Sequence, residues 1–184
     1  GHQLFETGSV PNFLATEGIF NTAYEVPNLA VEYSPVRTPV PTLFWRSVGH
    51  SVNAVAIEGF IDEMAHEAKV DAFEFRKQLI TKDKRRTAVL EAVAKLGKWG
   101  GPLPEGRGRG IGVHHAFATW VGVVTEASVV DGRIRVHRVA CVVDCGQAVN
   151  TDQVIAQLEG GIIFGLSAAL SGKIDVVCGE VQQS

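Results

Sequence analysis

Two short stretches carry residue types suited to holding an anion. Phe44-Trp45-Arg46-Ser47-Val48-Gly49-His50-Ser51 follows a proline-spaced segment and opens a predicted helix. Such an entrance offers unpaired backbone N–H groups, the positive end of a helix dipole and one arginine. Asp144-Cys145-Gly146-Gln147-Ala148-Val149-Asn150 stands in the same way at the head of a later helix. The two entrances are expected to face one large anionic cofactor. The plainer alternative for each is a capped helix start, which a short motif alone does not separate from a ligand site. Gln153 and Gln157 are four apart and share a helix face near the second entrance. A side-chain amide on a helix that sinks into a core needs partners, and a polar cofactor would supply them for Gln157.

Other reactive residue types are weaker candidates. His66 lacks a second ligand at i+4 and reads as a solvated helical histidine. His114, His115, His137 and Cys141 match no compact zinc spacing, and adjacent histidines on a strand point to opposite faces. No metal-ligating set is expected. Arg107-Gly108-Arg109-Gly110 resembles a phosphate loop but lacks its lysine and hydroxyl. Three cysteines, Cys141, Cys145 and Cys178, make no disulfide framework, so buried reduced thiols are the default.

These residues need elements to position them. The pattern predicts an α+β fold: a helical segment, then a β-hairpin-containing sheet, then a buried C-terminal helix. A short helix is expected over Thr16 to Ala23 and a strand over Leu29 to Tyr33. Pro11-Asn12 and Pro27-Asn28 signal turns, and Pro35, Pro39 and Pro41 force an extended path. Ser51 to Ala68 repeats Ile57, Ile61, Met64 and Ala68 on one face, which predicts a helix. Asp71 caps a second, with Glu74 three residues on. Lys82 to Arg86 reads as a basic surface turn, and Val89, Leu90, Val93 and Leu96 as a third helix ended by Gly97.

The glycine- and proline-rich stretch from Trp99 to Gly112 marks the change to strands. Asp131-Gly132 signals a hairpin, followed by a strand with Ile134, Val136 and Val139 inward. Asn150 caps the last helix, expected from about Thr151 to Leu170 and apolar all round. Gly161 and Gly165 would let a backbone or flat ligand approach it. The expected organisation is an extended arm with a cofactor loop over 1–50, a helical segment over 51–98, and an α+β cofactor-binding segment over 109–184.

Composition sets the outer limits. With 46% apolar and 20% charged residues the chain has a globular composition. Its net charge of −3 and lack of a long basic run argue against nucleic acid. No charge-free run of 18 apolar residues occurs, so no membrane span is expected. The start, Gly1-His2-Gln3-Leu4, does not read as a signal peptide. It carries no initiator methionine, and both ends are expected to be interior positions of a larger protein. Compartment is not legible.

Several segments together carry a family resemblance. They are Phe44 to Ser51, Glu58-Gly59-Phe60-Ile61-Asp62-Glu63, Asp71-Ala72-Phe73-Glu74-Phe75-Arg76, Val143-Asp144-Cys145-Gly146, and Gln157-Leu158-Glu159-Gly160-Gly161-Ile162-Ile163-Phe164-Gly165-Leu166. In this order, from about Tyr24 to Ser184, the chain resembles the large, molybdopterin-binding subunit of the xanthine oxidase family of molybdenum hydroxylases. The bacterial isoquinoline 1-oxidoreductase and aldehyde oxidoreductase type is the nearest group.

The resemblance implies hydroxylation of an N-heterocycle or oxidation of an aldehyde, with oxygen from water. It implies a molybdenum–pterin cofactor, as molybdopterin or its cytosine dinucleotide. The 2Fe-2S clusters would lie on an iron–sulfur small subunit. Other implied partners are the remainder of the large subunit and a small aldehyde or N-heterocycle substrate. By match to the family, Trp45, Arg46 and Ser47 border the molybdenum centre. Asp144, Gly146 and Asn150 approach it, and Gln157 lies beside the cofactor. Val48 is substrate-adjacent, where the family often has an aromatic residue; Ala72 and Thr151 also depart from it. The family's C-terminal catalytic glutamate motif and its upstream glycine-phenylalanine loop do not occur, so no catalytic residue is expected within this piece. The alternative is a non-catalytic binding or assembly module of a multi-subunit complex.

Overall fold

The computed structural model describes residues 3–5, 13–34 and 45–183. Pro11-Asn12, the proline-spaced approach over 35–43 and Phe44 lie outside the described residues. Three helices stand where apolar spacing predicts them: α2 (Gly49–Glu67), α3 (Ala72–Leu79) and α4 (Lys84–Leu96). Asp71 caps α3, accepting from the backbone N–H of Phe73 and Glu74 at 2.9 and 3.2 Å. Before them come β1 (Gln3–Phe5), α1 (Phe13–Thr16) and β2 (Ala30–Glu32), with β1 parallel to β2. The expected helix over 16–23 is thus α1, shorter and earlier. Beyond it Gly18 takes a positive φ, which ends the helical path.

The sheet is antiparallel in the order β3 (Arg107–Ala116), β4 (Thr119–Val130), β5 (Arg133–Asp144). Asp131 and Gly132 take φ of 50° and 72°, the left-handed pair a two-residue hairpin needs. Arg107 to Gly110 begins β3 and forms no phosphate loop. In β5 the expected alternation fails. A bulge opposite Glu126–Ala127 adds a residue, so Ile134 is exposed while Ala140 and Val142 face the core.

The chain divides into two compact units between Cys145 and Gly146. In the first, α4 lies on the sheet. A Cβ on Gly97 would come within 2.5 Å of Val124, and one on Gly122 within 2.8 Å of Val93. Only glycines allow that approach. Leu90, Val93, Ile111, Val113, Val124 and Ala140 fill the space between, joined by Ile61 of α2 and Tyr24 of the N-terminal arm. Lys82 to Arg86, expected as a surface turn, instead starts α4 from the N-cap Asp83, and Arg86 is buried.

The most constrained group in this core is polar. Arg76 is fully buried. Its Nε donates to Glu58 Oε2 at 3.0 Å, Nη1 to Asp62 Oδ1 at 2.6 Å and to Ala72 O at 3.1 Å, and Nη2 to Glu58 O at 3.1 Å. Glu58 also accepts the Tyr24 hydroxyl at 2.8 Å and the Val113 N–H at 3.3 Å. One carboxylate thereby ties together the arm, α2, α3 and β3. Burial first, then the charge of Glu58, pushes the Tyr24 hydroxyl far above its usual range, so it stays a neutral donor.

The second unit holds α5 (Thr151–Ser171) and the hairpin β6 (Val176–Val177) with β7 (Glu180–Val181). The position of α5 matches expectation, but its burial does not: none of its residues is buried. Among the described residues no atom beyond the helix's own backbone and adjoining residues lies within 4 Å of where a Cβ on Gly161 or Gly165 would stand. A helix apolar all round is stable in water only when covered, and no residue of α5 is buried among the described residues. By length and composition α5 is also long and apolar enough to cross a membrane, with mean hydropathy 1.5, although the lack of an 18-residue charge-free run pointed away from a span. A core helix of a soluble protein has the same property.

Arg76→Ala is expected to cost about 3 kcal/mol of unfolding free energy, because it strands Glu58 in a mostly dry site. Tyr24→Phe, which removes one hydrogen bond, should cost about 1 kcal/mol. Denaturant titration of the two variants beside the parent checks the ratio.

Candidate functional site

The entrance of α2 is built from strained backbone. Ser47 and Val48 take φ of 68° and 53°, and neither is glycine. A β-branched residue held in that region costs about 1–3 kcal/mol and persists only where the surroundings over-determine it. The Val48 N–H donates to Trp45 O at 3.0 Å and the His50 N–H to Ser47 O at 3.1 Å. The hydroxyls of Ser47 and Ser51 both donate to Arg46 O, at 2.6 and 2.8 Å, and touch each other. A tight knot of backbone thus presents Trp45 and Arg46, both exposed. Val48, the N-cap, supplies no side-chain cap, and no acid stands in the first turn. Nothing in that turn opposes an anion at the positive end of the dipole.

A histidine pair that sequence reasoning missed holds this entrance to the sheet. His50 is buried on α2, and its Nδ1 lies 3.0 Å from His114 Nε2 on β3. One ring must donate and the other accept, so the contact holds one proton between the two nitrogens. Phe117 packs edge-on against His50 at 5.2 Å. Burial first, then His50, Arg86 and His115, push His114 down to about 4. His50 sits inside the first motif, but only the fold brings residue 114 beside it.

The entrance of α5 differs. Asn150 is the N-cap and accepts the Gln153 N–H at 3.1 Å, as expected. Asp152 adds a negative charge to the first turn. This start suits neutral hydrogen-bonding contact better than a phosphate. Gly146 takes φ of 77°, which explains a glycine there. Gln157 is exposed on α5, so the chain alone does not give its amide the buried setting expected for it.

Asp144, the last residue of β5, faces Arg85 of α4. Arg85 Nε donates to Oδ2 at 2.6 Å and Nη2 to Oδ1 at 2.5 Å. The Arg85 guanidinium lies 3.7 Å above the Trp120 ring. Trp45, Arg46, Ser47, Val48 and Asp144 therefore belong to the first unit, and Gly146, Asn150 and Gln157 to the second. The acid-free first turn of α2, with Arg46 before it, has the charge character that an anionic cofactor group would need. Among the described residues no group of three or more His, Cys, Asp or Glu could hold a metal ion. All three cysteines are free, and contrary to the default none is fully buried; Cys178 is exposed.

The model of the molybdopterin cofactor-binding domain family matches residues 52–181. The chain belongs to that family, and the molybdopterin-binding resemblance read from its motifs is borne out. The beta subunit of isoquinoline 1-oxidoreductase from Brevundimonas diminuta is 31% identical over 168 residues, covering 88% of this chain and 21% of that protein. The membrane-bound aldehyde dehydrogenase [pyrroloquinoline-quinone] of Gluconacetobacter polyoxogenes is 29% identical over 155 residues, 73% of this chain and 20% of that protein. A nicotinate dehydrogenase subunit from Pseudomonas putida is 31% identical over 157 residues, 74% of this chain and 13% of that protein. The chain spans about a fifth or less of the length of these relatives.

The depressed His114 gives a pH dependence with a definite sign. Its folded value, about 4, lies below the ordinary 6.5, so its contribution is complete above pH 6.5 and is lost as pH falls through 4. Unfolding free energy should decline across that window, and His114→Phe should flatten the decline. Denaturant titrations at a series of pH values measure it.

Proposed function

We propose that this chain forms part of the cofactor wall in the molybdopterin-binding large subunit of a xanthine-oxidase-family oxidoreductase. That enzyme would hydroxylate N-heterocycles or oxidise aldehydes using oxygen from water. The observation that carries the reading is the strained, acid-free, arginine-bearing entrance of α2 in a chain of the molybdopterin cofactor-binding family. The cofactor, as molybdopterin or its cytosine dinucleotide, would supply oxygen transfer and pass electrons on to 2Fe-2S clusters on a partner subunit.

The residues of this chain bind and orient. Arg46 would offer its planar fork to an anionic oxygen, with Trp45 beside it and Ser47 holding the turn. Val48 would border the substrate space. Gly146, Asn150 and the amide of Gln157 would add neutral donors from a second wall, with Asp144 at the start of that loop. The organisation into an arm with a cofactor loop over 1–50, helices over 51–98 and a cofactor segment over 109–184 belongs to the same reading. Two of the relatives are named as single subunits of their enzymes, which supports assembly with other subunits. Turnover would belong to the full-length subunit in its complex, and the isolated 184-residue chain would have none.

A second reading is a non-catalytic binding or assembly module, favoured by exposed apolar residues of α5 such as Ile155 and Ile163. The test uses the full-length protein in its complex. Arg46→Ala should lower molybdenum content or turnover by about tenfold or more, with Arg46→Lys giving little rescue. The melting temperature should move little, because the side chain is exposed. Metal analysis, pterin extraction and a dye-linked assay read this out. Full metal content and full rate in Arg46→Ala, or a quinone in place of a molybdenum pterin, would end the proposal.

A further inference from the structure

Three cross-strand neighbours line up at one end of the sheet: His115 opposite Trp120, and Trp120 opposite Asp144. Directly opposed residues share a face, so one row crosses all three strands. The row is stacked and bonded. The His115 and Trp120 rings lie 4.3 Å apart at 29°. The Trp120 indole N–H donates to Asp83 Oδ2 at 2.8 Å, and Asp83 is the N-cap of α4. Arg85, in the first turn of α4, has its guanidinium carbon 3.7 Å from the Trp120 ring centroid and holds Asp144 through Nε and Nη2.

This placement is not what a helix start favours. Lys84, Arg85 and Arg86 put three cations at the positive end of the α4 dipole. A basic residue kept there, stacked and doubly bonded, has a task beyond helix stability. Asp144 is the last residue of β5, and the loop that the proposed function assigns to the cofactor begins there.

We infer that Arg85 is a positioning residue: through Asp144, and braced by Trp120, it fixes the point at which the chain leaves the sheet for the cofactor loop 144–150. The inference rests on the proposed function for the meaning of that loop, but the anchor itself is open to test without it. Bidentate geometry on an aromatic plate sets direction as well as distance, which a lysine does not.

The experiment is hydrogen–deuterium exchange on the full-length protein in its complex, with molybdenum analysis on the same samples. In Arg85→Ala the peptide over 141–150 should exchange about tenfold faster, while α2 and the centre of the sheet keep their parent rates. Arg85→Lys should follow Arg85→Ala rather than the parent, and Asp144→Asn should give the same local loosening. Molybdenum content should fall with it. Parent-like exchange over 141–150 would overturn the inference, as would a uniform rise across the domain, which marks a merely structural pair. Local loosening with full molybdenum content would keep Arg85 as the anchor and overturn instead the placing of this loop at the cofactor. If Arg85→Ala does not fold, Arg85→Lys and Asp144→Asn decide the matter.

Discussion

The first unit depends on one buried guanidinium. Arg76 has no exposed surface, and a charge in that position is tolerated only when paired and hydrogen-bonded throughout. Glu58 and Asp62, four apart on α2, meet that demand from one helix face, and the Ala72 and Glu58 carbonyls complete it. Because Glu58 also accepts from Tyr24 and Val113, the arm and the sheet cannot shift without stranding part of the network. Apolar contact alone would leave α2 free to slide along its axis. Directed bonds to a buried charge set its register. The Glu58–Glu63 and Asp71–Arg76 motifs are thus two halves of one interaction.

Fixing α2 fixes its entrance. The Glu58 contact lies near the middle of the helix, and the His50–His114 contact holds its first turn against β3. Directly before these ties the strained Ser47–Val48 backbone is tolerated, since strain persists where packing leaves no alternative path. Burial holds the His114 pKa well below its ordinary value, which couples the seating of this entrance to pH. Trp45 and Arg46 stand exposed at the end of a rigid element.

The second unit has the opposite character. It carries an apolar 21-residue helix with a capped, acidic start and no buried residue. The chain spans about a fifth or less of the relatives it matches. The two entrances also differ in electrostatics. That of α2 is uncapped and acid-free, whereas that of α5 holds Asn150 and Asp152.

The sequence by itself determined the elements and the family. Helical spacing from Ile57 to Leu96, the Asp71 and Asn150 caps and the Asp131-Gly132 turn are local signals, and local signals survive in any context. The ordered motifs carried the molybdopterin family for the same reason. Tertiary structure decided which of those residues meet. Arg86 looked like surface because its run is basic, but tertiary packing buries it, with its guanidinium 5.9 Å from the Tyr24 ring centroid. Ile134 looked inward because the bulge that reverses its face depends on the partner strand. The Phe117–Ala118 turn carries no glycine or asparagine, so its left-handed backbone left no local sign. His50 with His114, and Arg85 with Asp144, are 64 and 59 residues apart. Pairings at that distance are set by register and helix packing, which composition and spacing along a single chain do not encode.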